Sequence, residues 1–154
     1  MIALAFTGLV MWSFIEYVMH RFVLHGIEPF KTWHAMHHER PTALISAPTV
    51  LTAALIGALV FVPALVLGST CDAVAWTLGV SIGYLAYSLC HHATHHWRAN
   101  GRWLKERKRW HAIHHVRGQG ACYGVTSDFW DLVFGTAPHS RVRSSGDGHG
   151  TPLP

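Results

Sequence analysis

The chain has 154 residues, the size of one domain, and leaves no room for two independent cores. Half of its residues are apolar and only 13% are charged, whereas a soluble globular domain carries roughly a quarter. This composition points away from a soluble domain and towards a membrane. The net charge of +4 does not indicate a nucleic-acid partner, because the basic residues are gathered at the ends of the apolar segments instead of spread over a folded surface. Fourteen histidines outnumber the eight carboxylates, so a metal site here is expected to be built mostly from nitrogen ligands.

Crossing a bilayer takes about 20 apolar residues of helix, and residues 1–19 (MIALAFTGLVMWSFIEYVM) form the first such run. It lacks the basic start and small-residue cleavage site of a secretory signal, so it is read as a retained span. His20 and His25 follow it, and His34, His37 and His38 precede the second run, 49–67 (TVLTAALIGALVFVPALVL). The segment GSTCD, 68–72, is short enough to be the tip of a helical hairpin, and 73–90 (AVAWTLGVSIGYLAYSLC) is the third run. His91, His92, His95 and His96 come next. Residues 97–110 (WRANGRWLKERKRW) set Trp103, Leu104 and Trp110 against Lys and Arg, the pattern of an interfacial helix on anionic headgroups.

In RWHAIHH, 109–115, the histidines stand at i, i+3 and i+4. That spacing places His111, His114 and His115 on one helical face, where all three could point at a common centre. The tail from Ala137 has too little apolar content to pack and is expected to be disordered, which leaves 1–136 as the folded unit and sets His139 and His149 aside. The hairpin tip carries only Asp72, while all twelve Lys and Arg lie at Arg21–Arg40 and from Arg98 onward. The positive-inside rule therefore puts the histidine clusters on the cytoplasmic face. The fold expected is all-α: an integral membrane protein of about three transmembrane helices under a histidine-rich helical cap.

One histidine pair at a membrane interface is usually solvated or bonded to backbone. Four clusters in one chain, two of them HxxHH, are hard to explain without metal. A structural zinc takes four ligands and a catalytic one about three plus water. Ten to twelve imidazoles suffice for two metals, and spacing alone does not choose among Zn, Cu, Fe and Ni. The three cysteines are widely spaced, with no CxxC pair; Cys90, beside His91, reads as a small buried apolar residue in preference to a ligand. Glu16 lies one helical turn before His20. A carboxylate within a span is costly and usually has a partner: here either a ligand histidine's ring N–H or, at the surface, Arg21, unless it snorkels to the interface.

The tracts HRFVLH, HAMHH, HHATHH and HAIHH, in this order between membrane hairpins, resemble the fatty acid hydroxylase and sterol desaturase superfamily of membrane di-iron oxygenases. YGVTSDFWDLVFGT, 123–136, is similar to the segment after the last histidine box in fatty acid 2-hydroxylases, and the resemblance runs from about Glu16 to Thr136. It implies His20, His25, His34, His37, His38, His91, His95, His111, His114 and His115 as ligands of two irons, a site that zinc can occupy in a purified protein. Glu16, His96 and Asp131 become candidates for supporting those ligands. Spacing alone leaves the parallel pair His92 and His96 open as ligands.

The activity implied is conversion of an unactivated lipid C–H bond to an alcohol, with O2 as co-substrate and electrons from outside. The C-terminal tract favours a fatty acyl chain hydroxylated near its carboxyl end. A carotenoid ring hydroxylase is the alternative substrate reading, since those enzymes are also short and carry similar boxes. Tyr87, Ser88, Leu89 and Cys90 depart from the Asp and Thr that fatty acid 2-hydroxylases tend to carry before the third box. A separate electron donor of cytochrome or ferredoxin type is expected, with the basic stretch Arg102–Arg109 either docking it or anchoring the chain on lipid. A metal transporter is the reading from another class, but transporter ligands belong near the bilayer midplane, and these histidines cluster at the ends of the runs. Three spans offer little wall around a site, so a homodimer or bound lipid is expected to complete the cavity.

Overall fold

A computed structural model describes residues 1–43, 49–117 and 120–138, so the expectation of a disordered tail, with His139 and His149, falls almost wholly outside the described residues. Within them the chain is helical, with no strand. Helix α1 (Ile2–Val18) runs directly into a π-helical turn, Met19–Leu24. α2 (Phe30–Glu39) follows, then α3 (Thr49–Ile56), a second π turn at Gly57–Phe61 and α4 (Val62–Leu67). The chain continues through α5 (Thr70–His96), α6 (Arg102–Arg117) and the short α7 (Phe129–Val133). Three continuous stretches, Ile2–Leu24, Val50–Leu67 and Thr70–His96, are long and apolar enough to cross a membrane. Phe6, Val50, Leu59, Val66, Leu78 and Leu85 on them are exposed, the outer face expected of helices solvated by lipid.

Several helix boundaries differ from the sequence reading. The hairpin tip is shorter than GSTCD, because α5 already begins at Thr70. Ser69 Oγ accepts from the Asp72 N–H (3.2 Å) while Asp72 Oδ2 accepts from the Ser69 N–H (3.4 Å), a reciprocal cap that satisfies two otherwise unpaired donors. At the other end the helices outlast the apolar runs: His20 lies within the π turn, and His91 and His95 lie within α5. Hydropathy marks where side chains stop being apolar, whereas backbone hydrogen bonding decides where a helix stops. The basic segment is helical only from Arg102, and its helix continues through the last histidine box to Arg117.

The three stretches are held together chiefly along α1 and α5. A Cβ built on Gly79 would lie 1.9 Å from the Ala5 carbonyl oxygen, and one on Gly8 2.4 Å from that of Trp76. Only hydrogen fits at either position, so the two backbones touch, the arrangement by which helices gain van der Waals contact in lipid. This seam fixes α1, which leads into the π turn that carries His20 and precedes His25, against α5, whose last turns carry His91 and His95. Trp130 of α7 packs on Phe14 (centroids 4.9 Å apart) and donates from Nε1 to Ser13 Oγ (3.1 Å), which folds the segment after α6 back onto α1.

Candidate metal centre

The ten histidines of the expected ligand set form two groups of five. One is His20, His25, His34, His38 and His114; the other is His37, His91, His95, His111 and His115; in each, one ring nitrogen per residue lies within 4.8 Å of all the others. The groups adjoin, with the rings of His38 and His115 stacked at 4.3 Å. The expectation that His111, His114 and His115 share one centre is corrected: His114 serves the first group, His111 and His115 the second. The HAMHH box divides in the same way, with His34 and His38 in the first group and His37 in the second. An i, i+4 pair meets on one helical face, while a residue at i+3 projects beside it and reaches the neighbouring centre.

His20 and His25 obey another rule. In an α-helix five residues advance about 140° past a full turn, which would send these two rings apart. The π turn Met19–Leu24 contains one extra residue per turn and returns His25 to the face of His20, with their rings 5.5 Å apart and 17° from parallel. π turns of this kind concentrate at functional sites.

The distances suit metal ions. Nε2 pairs stand at 3.1 Å for His20–His34, 3.0 Å for His34–His38 and 3.1 Å for His25–His114. In the second group they stand at 3.1 Å for His37–His91, 2.8 Å for His95–His111 and 3.1 Å for His111–His115. Two imidazole nitrogens each ~2.1 Å from one ion and at right angles lie ~3 Å apart. His20 donates its Nδ1–H to the Tyr123 carbonyl (2.5 Å) and His114 donates to that of Ala121 (2.9 Å), which leaves both Nε2 lone pairs aimed into the group. Burial, reinforced by neighbouring histidines, pushes the pKa of His25, His37 and His115 down to about 4 and that of His114 to about 3, and holds His34 and His111 well below the ordinary range. Neutral imidazole is the form that binds metal.

The other expected residues fall as follows. Glu16 is buried, yet it does not receive a ring N–H: Oε1 accepts the backbone N–H of Val125 (2.6 Å) and of Thr126 (2.9 Å), and Oε2 accepts the Thr126 hydroxyl (2.5 Å). Asp131 takes the preceding amides, Tyr123 at Oδ1 (2.9 Å) and Gly124 at Oδ2 (2.7 Å). Two buried carboxylates thus hold four consecutive amides of a buried strap, 121–125 and Thr126, whose carbonyls orient His20 and His114. His92 and His96 stack on each other at 4.3 Å, exposed and outside both groups, which separates them from His91 and His95. Cys90 is buried and donates its thiol to the Val125 carbonyl (3.5 Å), so it supports the strap instead of ligating. The strap's carbonyls were missed by sequence reasoning because backbone atoms carry no residue signature. Gly124 was the available clue, since a Cβ there would lie 1.9 Å from the Ser127 carbonyl oxygen.

Arg107 also departs from expectation. It is buried, 3.5 Å from Asp128 and over the Trp110 ring, so the exposed basic residues of the stretch Arg102–Arg109 are Arg102, Lys105 and Arg109. A cavity of about 470 Å³ opens among the three apolar stretches. Trp12, Ile15, Leu55, Leu59 and Val80 line its membrane end, and His20 and His34 of one group with His37, His91 and His95 of the other line its head.

Fold and site together define a helical membrane protein whose histidines form two adjacent groups of five, each arranged so that it could hold a metal ion, at the head of a cavity with apolar walls. Comparison with known proteins agrees: the family model described as fatty acid hydroxylase matches residues 5–136, and the chain belongs to that family. A dihydroceramide fatty acyl 2-hydroxylase of Arabidopsis thaliana is 32% identical over 148 residues, 89% of this chain and 61% of the relative. The ceramide very long chain fatty acid hydroxylase scs7 of Schizosaccharomyces pombe is 36% identical over 142 residues, 84% of this chain and 40% of the relative. A solved structure of full-length scs7p, in which only the hydroxylase domain is visible, superposes with a TM-score of 0.79 at 30% identity, covering 88% of this chain and 55% of that one. The chain therefore spans about three fifths or less of the length of these relatives.

Proposed function

We propose that the chain hydroxylates a fatty acyl chain, carried on a membrane lipid, at the carbon next to its carbonyl. The observation that carries this reading is the cavity, which joins an apolar channel among the spans to histidines of both metal shells. The names of the relatives, which act on ceramide-type or fatty acyl chains, support the same substrate class. Overall, R–H, O2, two electrons and two protons become R–OH and water. Two irons, held by His20, His25, His34, His38 and His114 and by His37, His91, His95, His111 and His115, would supply the O2 reduction and C–H oxidation.

The protein's own part is positional. Trp12, Ile15, Leu55 and Leu59 exclude water and fix the acyl tail along the spans, so that the carbon nearest the head group lies under the histidines. His20 and His114 keep one tautomer through their carbonyl partners, which holds the metal-facing nitrogens free of protons. The absence of Lys and Arg from the hairpin tip at 68–72, against their gathering beside the histidine clusters, supports a cytoplasmic position for the site. A separate cytochrome- or ferredoxin-type donor supplies the electrons across Arg102, Lys105 and Arg109, and a second copy of the chain closes the cavity. Cross-linking in native membranes that yields only monomer would count against the dimer.

The test is the acyl-chain profile, by mass spectrometry, of a host expressing the chain beside a His114→Ala control. New 2-hydroxy acyl chains that vanish in the control are expected. An inserted, iron-loaded and reductant-supplied protein that forms none, or that hydroxylates a carotenoid ring instead, would overturn the substrate assignment.

A further inference from the structure

The strap joins one carboxylate to one ligand through a single peptide group. The Tyr123 carbonyl, which accepts the His20 Nδ1–H at 2.5 Å, and the Gly124 N–H, which donates to Asp131 Oδ2 at 2.7 Å, are the two ends of the same amide. A hydrogen bond at the N–H end of an amide strengthens its carbonyl as an acceptor, and such chains polarise cooperatively in a low dielectric. We infer that Asp131 is a positioning residue for His20, acting through the Tyr123–Gly124 peptide to raise the basicity of that ligand and so to bias one metal of the pair. The inference rests on the proposed reading of the ten histidines as metal ligands and adds a defined asymmetry between the two shells.

The surroundings of Asp131 fit this role. Four donors converge on its two oxygens: the Tyr123 and Gly124 amides, the Thr136 hydroxyl (2.6 Å) and, at 3.4 Å, the Trp110 indole. An acceptor-only, ionised carboxylate suits four donors. Its links to positive charge are indirect: through Trp110, over whose ring Arg107 lies, and through the chain Arg21 Nη1 to Tyr17 hydroxyl (2.6 Å), Tyr17 to Thr136 hydroxyl (3.1 Å), and Thr136 to Asp131. The Asp131 side chain is fully buried, so its charge is felt strongly at the strap.

The other anchors of the strap lack this connection. His114 is bonded to the Ala121 carbonyl, whose peptide ends at the Cys122 N–H and the neutral Thr136 carbonyl (2.9 Å). Glu16 holds the Val125 and Thr126 amides, and the carbonyl between them faces the Cys90 thiol, not an imidazole. In the second shell, Nδ1 of His37, His111 and His115 is buried with no hydrogen-bond partner among the described residues. Among the described residues, the path from Asp131 through one peptide to His20 is the link found from a carboxylate to a ring of either group. Carboxylate–histidine–metal triads usually make this contact directly; here a peptide group stands between.

The experiment uses the full chain loaded with Zn²⁺, which is diamagnetic, with ¹⁵N-labelled histidine and NMR detection of the ring Nδ1–H protons. The wild-type protein is counted first. Fewer than two zinc ions per chain would remove the metal-shell reading itself, before any variant is made. With two bound, Asp131→Asn is expected to move the His20 Nδ1–H resonance upfield, as its hydrogen bond weakens, and to leave that of His114 in place. The same variant should weaken one of the two zinc ions by about 10- to 100-fold and spare the other. If Asp131→Asn does not fold, Thr136→Val keeps the carboxylate, removes one of its donors, and should again move the His20 signal alone. Movement of both resonances together would make Asp131 a mere scaffold of the strap, and movement of neither would remove the coupling; either outcome overturns the inference.

Discussion

Gly79→Ala adds one methyl group at the seam of α1 and α5, and its cost can be reasoned from the contact. The new Cβ would lie 1.9 Å from the Ala5 carbonyl oxygen, 2.8 Å from its carbon and 2.9 Å from the Leu9 nitrogen, so all three neighbours are backbone. Real Cβ atoms essentially never come within 3.0 Å, so the two helices must separate locally by about 1 Å. No flexible side chain can give way in their place. Overpacking costs about 1–3 kcal/mol, which is roughly a 5- to 150-fold shift in the folding equilibrium, with the upper end expected here. The assay is denaturant unfolding in micelles followed by tryptophan fluorescence, with Gly57→Ala as the matched control. A Cβ at Gly57 meets nothing within 4 Å, so that variant should be neutral or stabilised by up to ~1 kcal/mol. Equal stabilities for the two variants would refute the argument that α1 and α5 meet backbone to backbone. A metal centre that survives Gly79→Ala undisturbed would refute the claim that this seam sets the distance between His20 and His91.

Other consequences follow from the site. Because burial depresses the pKa of His25, His37 and His115 to about 4 and of His114 to about 3, the unfolded chain, titrating near 6.5, binds more protons below that pH. Stability is therefore intact above pH 6.5 and lost as pH falls towards 4, and metal should leave over the same window; a flat stability profile measured between those values would contradict it. Gly124→Ala places a Cβ 1.9 Å from the Ser127 carbonyl and 3.0 Å from Asp131 Oδ2, so it should dislodge the strap and lower stability by about 1–3 kcal/mol, seen as a lower melting temperature with reduced bound metal. Reversing charge at Arg102 and Lys105 should abolish turnover with a protein electron donor, in a salt-dependent way, while an artificial reductant still supports it. Misinsertion of that variant would instead identify the basic face of α6 as a lipid anchor.

Much of this site was legible in the sequence. Histidine is scarce enough that four clusters in one chain declare metal, and apolar runs of bilayer length locate the helices that present them. The partition between the two shells was not legible. It depends on which residues of HAMHH and HAIHH sit at i+3 and which at i+4 once the helices cross, a tertiary property. The pairing of His20 with His25 required a π turn, which leaves no mark in the pattern of side chains. Glu16 announced itself as a carboxylate in a costly place, and Asp131 as a candidate for supporting the ligands. Their partners proved to be backbone amides of 123–126, and no reading of side chains alone finds an amide. Arg107, counted with the basic stretch, turned inward because α6 buries one face while its neighbours keep theirs exposed.

The most direct test of the central claim is isotopic. Purified protein loaded with two irons is supplied with reductant, a lipid bearing a saturated acyl chain and ¹⁸O2, and the product is analysed by mass spectrometry. The account predicts a 2-hydroxy acyl chain carrying one ¹⁸O atom, absent from the His91→Ala and His114→Ala variants, each of which lacks a histidine of a different group. An unmodified acyl chain with both irons bound and reduced, or a hydroxyl oxygen drawn from water, would contradict it.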